Sequence, residues 1–247
     1  MPHFTRLPPA PTLAPLVGEG DPRRALSLIA ASGFRHVQLS AALPGMRPRD
    51  LDRSARRDLL ARLRRLELQP AGLDLWIPLE HFTDAEHADR AAATVIDAIE
   101  LAADLGRIPL SLRLAEALDA TIVQTWRSRA ETCGIAIADH SPTPHALLGV
   151  GIDPAALIAV GKDPAVCASA ATDLVAARFS DFRDESRTTP GTGRLDVLAY
   201  QVALVSRSFE SPVALDLRRV SDPHTALEVA LRAWVETGLL TAPREEG

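Results

Sequence analysis

The chain has 247 residues and a formal net charge of −5, the size of one large α/β domain and a charge balance that gives no sequence-independent attraction to nucleic acid or anionic lipid. No apolar stretch is long enough to span a bilayer, and MPHFTRLPPAPTLAPL at the start lacks the charged-then-apolar pattern of a signal peptide, so a cytoplasmic protein is expected. Cys133 and Cys167 lie far apart without metal-ligand spacing and read as small buried hydrophobes rather than a disulfide or a zinc site.

Apolar runs that read as strands alternate with segments of helical spacing along the chain. Leu13 to Val17 is the predicted first strand, and Asp21-Pro22 caps a helix that runs to about Ser32, with Gly33 beyond its end. The second strand is 35–40, and a helix from about Leu51 to Leu66 leads to the third strand, Pro70 to Trp76. A polar loop then opens the longest helix, with Ala91, Val95, Ala98, Ile99 and Ala102 at core spacing and Gly106 as its stop. Ile108 to Leu114 is the fourth strand, Leu118 to Cys133 a helix, and Ile135 to Asp139 the fifth strand. Only HSPTPHAL separates it from the sixth, Leu148 to Ile152, so the helix between strands five and six is shortened or missing. Two short helices, Pro154 to Val160 and Pro164 to Thr172, precede the seventh strand, Val175 to Phe179. A polar loop, a helix over Asp196 to Ser206, the eighth strand at Val213 to Leu217 and a helix over Pro223 to Glu236 complete the order, with 241–247 a frayed tail.

Each strand stops at a short polar group: near Gln38, near Asp74, at Asp139 and His140, at Asp153, at Arg178 and Asp181, and at Asp216. Continuous hydrophobic strands with helices between them write a parallel sheet covered on both faces, and eight of them are the count of a (β/α)8 TIM barrel, with reactive groups at the carboxyl ends. No repeat or linker divides the chain, and a single TIM-barrel domain over 1–247 is expected. Lys162 is the only lysine, so the abundance of arginine is a compositional bias. The arginines of RSARRDLLARLRRLE therefore read as a solvated helix face opposite Leu59, Leu60, Leu63 and Leu66.

Taken in order, AASGFRHVQLS, DRAAATVIDAIELAADLG, GVGIDPAALIAVGKDP, ARFSDF with PGTGRLDVLAYQVAL, and PVALDLR resemble the xylose isomerase-like TIM barrels, the sugar phosphate isomerase/epimerase family, and the chain reads as a divergent member. The resemblance implies a pocket at the strand carboxyl ends, a divalent ion held by carboxylates and a histidine, and aldose-ketose isomerisation or epimerisation. Position by position, the family's strand-five glutamate falls on Asp139, its strand-six aspartate on Asp153 and its strand-eight glutamate on Asp216. The strand-two glutamate is Gln38, the histidine after strand six is lost in Asp153-Pro154-Ala155-Ala156, and the histidine of the strand-seven phrase is Arg178, though Asp181 survives.

Asp139, Asp153 and Asp216 could supply oxygen ligands to Mg²⁺ or Mn²⁺, but Arg178 would place a permanent cation beside the ion, where like charges repel by several kcal/mol in a low-dielectric pocket. A metal-free pocket with Arg178 in the electrostatic place of the ion is therefore favoured. For isomerase chemistry, Asp139 and Asp216 would form the base and acid pair and Arg178 would hold the enediolate. The bland alternative is that the aspartates cap helices and pair with Arg178 and Arg218. Trp76, His81, His140, Asp181 and Arg218 are candidate substrate-binding residues, whereas His145 reads as exposed. PGTGR could offer backbone N–H groups to a phosphate, with Arg183, Arg187 and Arg194 beside it, but Gly191-x-Gly193 is too short to be specific and a plain turn is the better reading.

The leading expectation is thus a sugar or sugar phosphate isomerase/epimerase-like protein of carbohydrate metabolism, acting by proton transfer next to a carbonyl on a polyol or sugar ligand. The alternative is a non-catalytic barrel with a degenerate metal site that binds a small polar ligand or a protein partner. Neither a monomer nor a homo-oligomer is selected. A related DNA-repair endonuclease would need a histidine-rich zinc cluster and a basic groove, and the sequence offers neither.

Overall fold

A computed structural model describes residues 7–18, 20–116 and 118–237. Eight parallel strands form one sheet: β1 (Pro9–Pro11), β2 (His36–Ser40), β3 (Gln69–Asp74), β4 (Leu110–Leu112), β5 (Ile137–Asp139), β6 (Gly149–Ile152), β7 (Leu174–Phe179) and, after the hairpin described below, β10 (Val213–Leu215). Each strand pairs with its predecessor from β3 to β7, β10 pairs with β7, and β1 pairs with β10. A parallel bridge between Thr12 and Gln38 brings the two ends of the sheet together, and the cylinder is nearly closed. This is the (β/α)8 arrangement, in which the carboxyl ends of all strands open on one rim.

The helices between the strands are α1 (Leu13–Val17), α2 (Pro22–Ala31), α3 (Arg53–Arg65), α4 (Ala88–Asp104), α5 (Ala120–Cys133), α6 (Pro154–Ala159), α7 (Pro164–Ala170), α8 (Val197–Ser206) and α9 (Pro223–Thr237). Aspartates start many of them by accepting a backbone N–H: Asp21 from Arg23 for α2, Asp52 from Ala55 for α3, Asp119 from Thr121 for α5 and Asp196 from Ala199 for α8. Gly134 ends α5 in the left-handed conformation, with φ of 66°, where a side chain would be strained. The inner faces of the helices bury Leu26, Ile29, Leu63, Val95, Ile99, Val123 and Trp126 against the outside of the barrel.

Three expectations are corrected or refined. Leu13 to Val17 is not a strand but the short helix α1, whose buried Leu13 and Leu16 stand one turn apart; the strand is the proline-rich PAP before it. Proline lacks the N–H that a strand paired on both sides needs. The groups facing β10 are on even-numbered residues, Pro8 accepting from Val213 and Thr12 donating to Leu215, so Pro9 and Pro11 face β2, where only the Thr12–Gln38 bridge is made. Between β5 and β6, residues 140–148 form no helix, and the Nζ of Lys162 donates to the Pro142 carbonyl and to Thr143, holding this loop to the segment after α6. The polar segment after β7 contains an antiparallel hairpin, β8 (Asp181–Arg183) with β9 (Ser186–Thr188), turning through Asp184 and Glu185, both at positive φ. The tail 241–247 lies outside the described residues.

Candidate functional site

The rim at the strand carboxyl ends holds a buried network of aspartates and arginines. Arg178, near the end of β7, is 1% exposed and reaches across the barrel interior to Asp74 at the end of β3. Its Nη2 donates to Asp74 Oδ1, its Nη1 lies 3.5 Å from Asp74 Oδ2 and 3.4 Å from Asp216 Oδ2, and its Nε donates to His140 Nδ1 at 3.3 Å. Gln38 Nε2 donates to the same Asp74 at 3.1 Å, and the Tyr200 hydroxyl donates to the Arg178 carbonyl at 3.0 Å. Such a cation is tolerable in a barrel core only because carboxylates surround it.

Asp153, at the start of α6, and Asp216, just after β10, form the outer part of the network. Arg187, carried by the hairpin strand β9, donates from Nη2 to Asp153 Oδ2 and from Nη1 to Asp216 Oδ2 at 3.0 Å. Arg218 donates to Asp216 through Nε at 2.7 Å and through Nη2, and to Asp153 Oδ2 at 3.3 Å. Ser180 Oγ donates to Asp153 Oδ1 at 2.7 Å, and the Ala156 N–H caps α6 on the same oxygen. The guanidinium carbon of Arg218 lies 3.4 Å from the centre of the Trp76 ring, with that of Arg178 at 5.2 Å. The stacking fixes the plane of Arg218 and leaves its N–H donors pointing edgewise.

Burial alone would raise the carboxyl pKa of Asp153 and Asp216. The guanidiniums of Arg187 and Arg218 outweigh burial at both, so both carboxyls are held below their ordinary range. Burial, and then the nearby Arg178, pushes the imidazole of His140 well below its usual value, so it is neutral. Because Arg178 can only donate, His140 Nδ1 is the acceptor, which leaves the proton on Nε2 to face Ser111 Oγ at 3.1 Å. The ring lies on the backbone of Gly151, where an added Cβ would come within 2.7 Å of it.

The other candidate residues have different surroundings. Asp139 is buried, but its carboxylate accepts from the Ser141 N–H at 2.9 Å, the Ser141 hydroxyl at 2.6 Å and the His145 N–H at 2.9 Å, so it shapes the loop that replaces the missing helix. His145 is half-buried there rather than exposed. Asp181 accepts four backbone N–H groups, from Phe182, Gly191, Gly193 and Leu195, and so pins the foot of the hairpin. Those of Gly191 and Gly193 are among the donors that PGTGR could have offered to a phosphate. His81 stacks on His87, ring centres 4.5 Å apart, in the segment between β3 and α4. Two members of the network, Asp74 and Arg187, are not among the catalytic, metal or substrate-binding candidates that the sequence offers. Asp74 was visible only as a strand stop, and Arg187 was discounted among many arginines in a segment read as a loop.

A divalent ion of the kind the resemblance implies does not fit these residues. The Oδ2 atoms of Asp153 and Asp216 already accept from two and three guanidiniums. Arg178 occupies the position where the resemblance implies a histidine, and Asp139 is turned into its loop. Among the described residues no group of three or more His, Cys, Asp or Glu side chains is placed to hold a metal ion, so Asp139, Asp153 and Asp216 are not assembled as a ligand set.

Against known proteins, no family model matches the chain, and no curated protein does. Solved structures do match. The chain is similar to a xylose isomerase domain protein from Planctomyces limnophilus, with a TM-score of 0.74 at 14% identity over 95% of this chain and 98% of that one. The chain has the xylose isomerase-like TIM-barrel fold. A D-psicose 3-epimerase with D-tagatose from Clostridium cellulolyticum H10 aligns with a TM-score of 0.71 at 12% identity, over 95% of this chain and 100% of that one. A xylose isomerase-like TIM barrel protein from Mycobacterium smegmatis in complex with magnesium aligns with a TM-score of 0.72 at 12% identity, over 96% and 98% of the two chains. Within that fold, the described residues of this chain place an ion-paired network at the rim, Arg178, Arg187 and Arg218 against Asp74, Asp153 and Asp216.

Proposed function

We propose that this chain is a xylose isomerase-like barrel that binds a small, oxygen-rich ligand of the sugar class at its strand carboxyl ends, without a divalent ion and without proton-transfer turnover. The pairing of Asp153 and Asp216 with Arg187, Arg218 and Arg178 carries this reading. A base that removes a proton next to a carbonyl works best with a pKa near the working pH. Both carboxyls are held far from that, and Asp139 is engaged by its own loop. Retention of the barrel and of a polar rim fits a protein that still holds a ligand.

One observation favours a second reading, an isomerase or epimerase acting by proton transfer with Asp216 as base. Three guanidiniums stand beside the carboxylates, so a cation able to hold an enediolate is present without any metal. Proton NMR of a panel of ketoses incubated with the protein in D₂O, with and without Mn²⁺, separates the two. The binding reading predicts no deuterium incorporation at the carbon next to the carbonyl. Incorporation that disappears in Asp216→Asn would establish the isomerase reading instead.

A further inference from the structure

The hydrogen-bond inventory of the rim is lopsided. Both oxygens of Asp153 and both of Asp216 already accept at least two hydrogen bonds: Asp153 Oδ1 from Ser180 and Ala156, Asp153 Oδ2 from Arg187 and Arg218, Asp216 Oδ1 from the N–H and Nε of Arg218, and Asp216 Oδ2 from Arg178, Arg187 and Arg218. The donors are in excess. Among the described residues Arg218 Nη1 and Arg187 Nε have no protein acceptor, and both side chains keep 17% exposure, so they reach the solvent side of the network while the carboxylates are sealed beneath. The two guanidiniums converge, since both donate to the same two Oδ2 atoms.

A neutral polyol is a poor match for such a surface. Each of its hydroxyls can accept from a guanidinium, but its own O–H then needs an acceptor, and those of Asp153 and Asp216 are taken. A carboxylate or phosphate oxygen only accepts, and it takes a guanidinium edge through two parallel bonds. Its oxygen can also be seated: Asp216 Oδ2 accepts from three guanidiniums, so turning one Arg187 N–H to an incoming oxyanion leaves that carboxylate oxygen paired twice. Trp76 keeps Arg218 flat and pre-aimed while this happens. Resting on the ligand-binding reading above, we infer that the ligand bears an oxyanion, a sugar acid or sugar phosphate rather than a neutral sugar, and that Arg187 and Arg218 are the residues that select it.

Calorimetric titration of the full chain with D-gluconate, D-glucitol and inorganic phosphate tests this, because the first two differ only in a carboxylate against a hydroxymethyl group. Gluconate should bind at least tenfold more tightly than glucitol and weaken as salt is added. Arg187→Lys and Arg218→Lys, which keep the charge but lose the flat two-pronged edge, should each weaken gluconate at least tenfold while thermal unfolding confirms a folded chain. Displacement of gluconate by phosphate would support a common oxyanion seat and point to sugar phosphates as well as sugar acids. Glucitol binding as tightly as gluconate would overturn the oxyanion inference and leave the ligand-binding reading intact, and unchanged affinity in both lysine variants would overturn the assignment to these arginines. Failure of all three probes to bind would overturn both.

Discussion

Asp139 and Asp181 stand on the same rim as Asp153 and Asp216, and all four are buried, yet they have opposite roles. The first two accept only backbone N–H groups and one neighbouring hydroxyl, and so hold a shortened loop and a hairpin foot in place. The second two are matched by guanidiniums from β7, β9 and the end of β10, and build a charged network across the mouth. Residue type and strand-end position are shared, so the partner alone decides whether a carboxylate serves the loop or the site.

The contrast is broken most severely by removing the central cation. Arg178→Met leaves Asp74 buried without its ion-pair partner and should cost about 3–5 kcal/mol in urea denaturation, since stripping one partner from a buried pair leaves an uncompensated charge. A smaller effect is expected on the loop side. Asp181→Asn replaces an acceptor of the Gly191 and Gly193 amides by a donor, which should cost about 1–3 kcal/mol and speed hydrogen exchange at those two amides, with the network around Arg178 unaffected. The double variant Arg178→His, Arg187→Ala removes two of the three cations and supplies an imidazole; it should bind Mn²⁺ at least tenfold more tightly than the parent, as read by calorimetry.

A change of pH distinguishes the buried groups more gently. His140 is neutral in the folded barrel because its pKa is depressed, whereas the unfolded imidazole takes up a proton below about pH 6.5. The unfolded chain then binds more protons, so stability falls as pH drops from about 6.5 toward the folded value. Asp153 and Asp216 are depressed as well, and their contribution is complete above the ordinary carboxylate range near pH 4 and lost below it. Unfolding free energies measured between pH 6 and 5 should decline by about 1 kcal/mol, and His140→Gln should flatten that slope.

Much of the barrel was legible in the sequence because periodicity, aspartate caps and glycine stops agreed with one another, down to the missing helix after Asp139. The first strand was not, since PAP reads as a breaker until its pairing shows that Pro9 and Pro11 face the side with almost no ladder. The site was legible in part. Arg178 against the strand-end aspartates was anticipated from the charge of its neighbours, but Arg187 reaches the rim from a hairpin whose turn, Asp184-Glu185, carries none of the usual glycine signal. Asp74 pairs with Arg178 across the barrel, a contact that no local spacing encodes.

In the ligand-binding reading, three arginines perform the electrostatic role of a cation at the rim. Titrating Mn²⁺ into isotope-labelled protein while following the carboxylate carbons of Asp153 and Asp216 by NMR addresses that claim most directly. The resonances should keep their positions and widths, in the ionised state, as the ion is added. Selective paramagnetic broadening of both at stoichiometric Mn²⁺ would show that an ion displaces the guanidiniums, and would contradict the account.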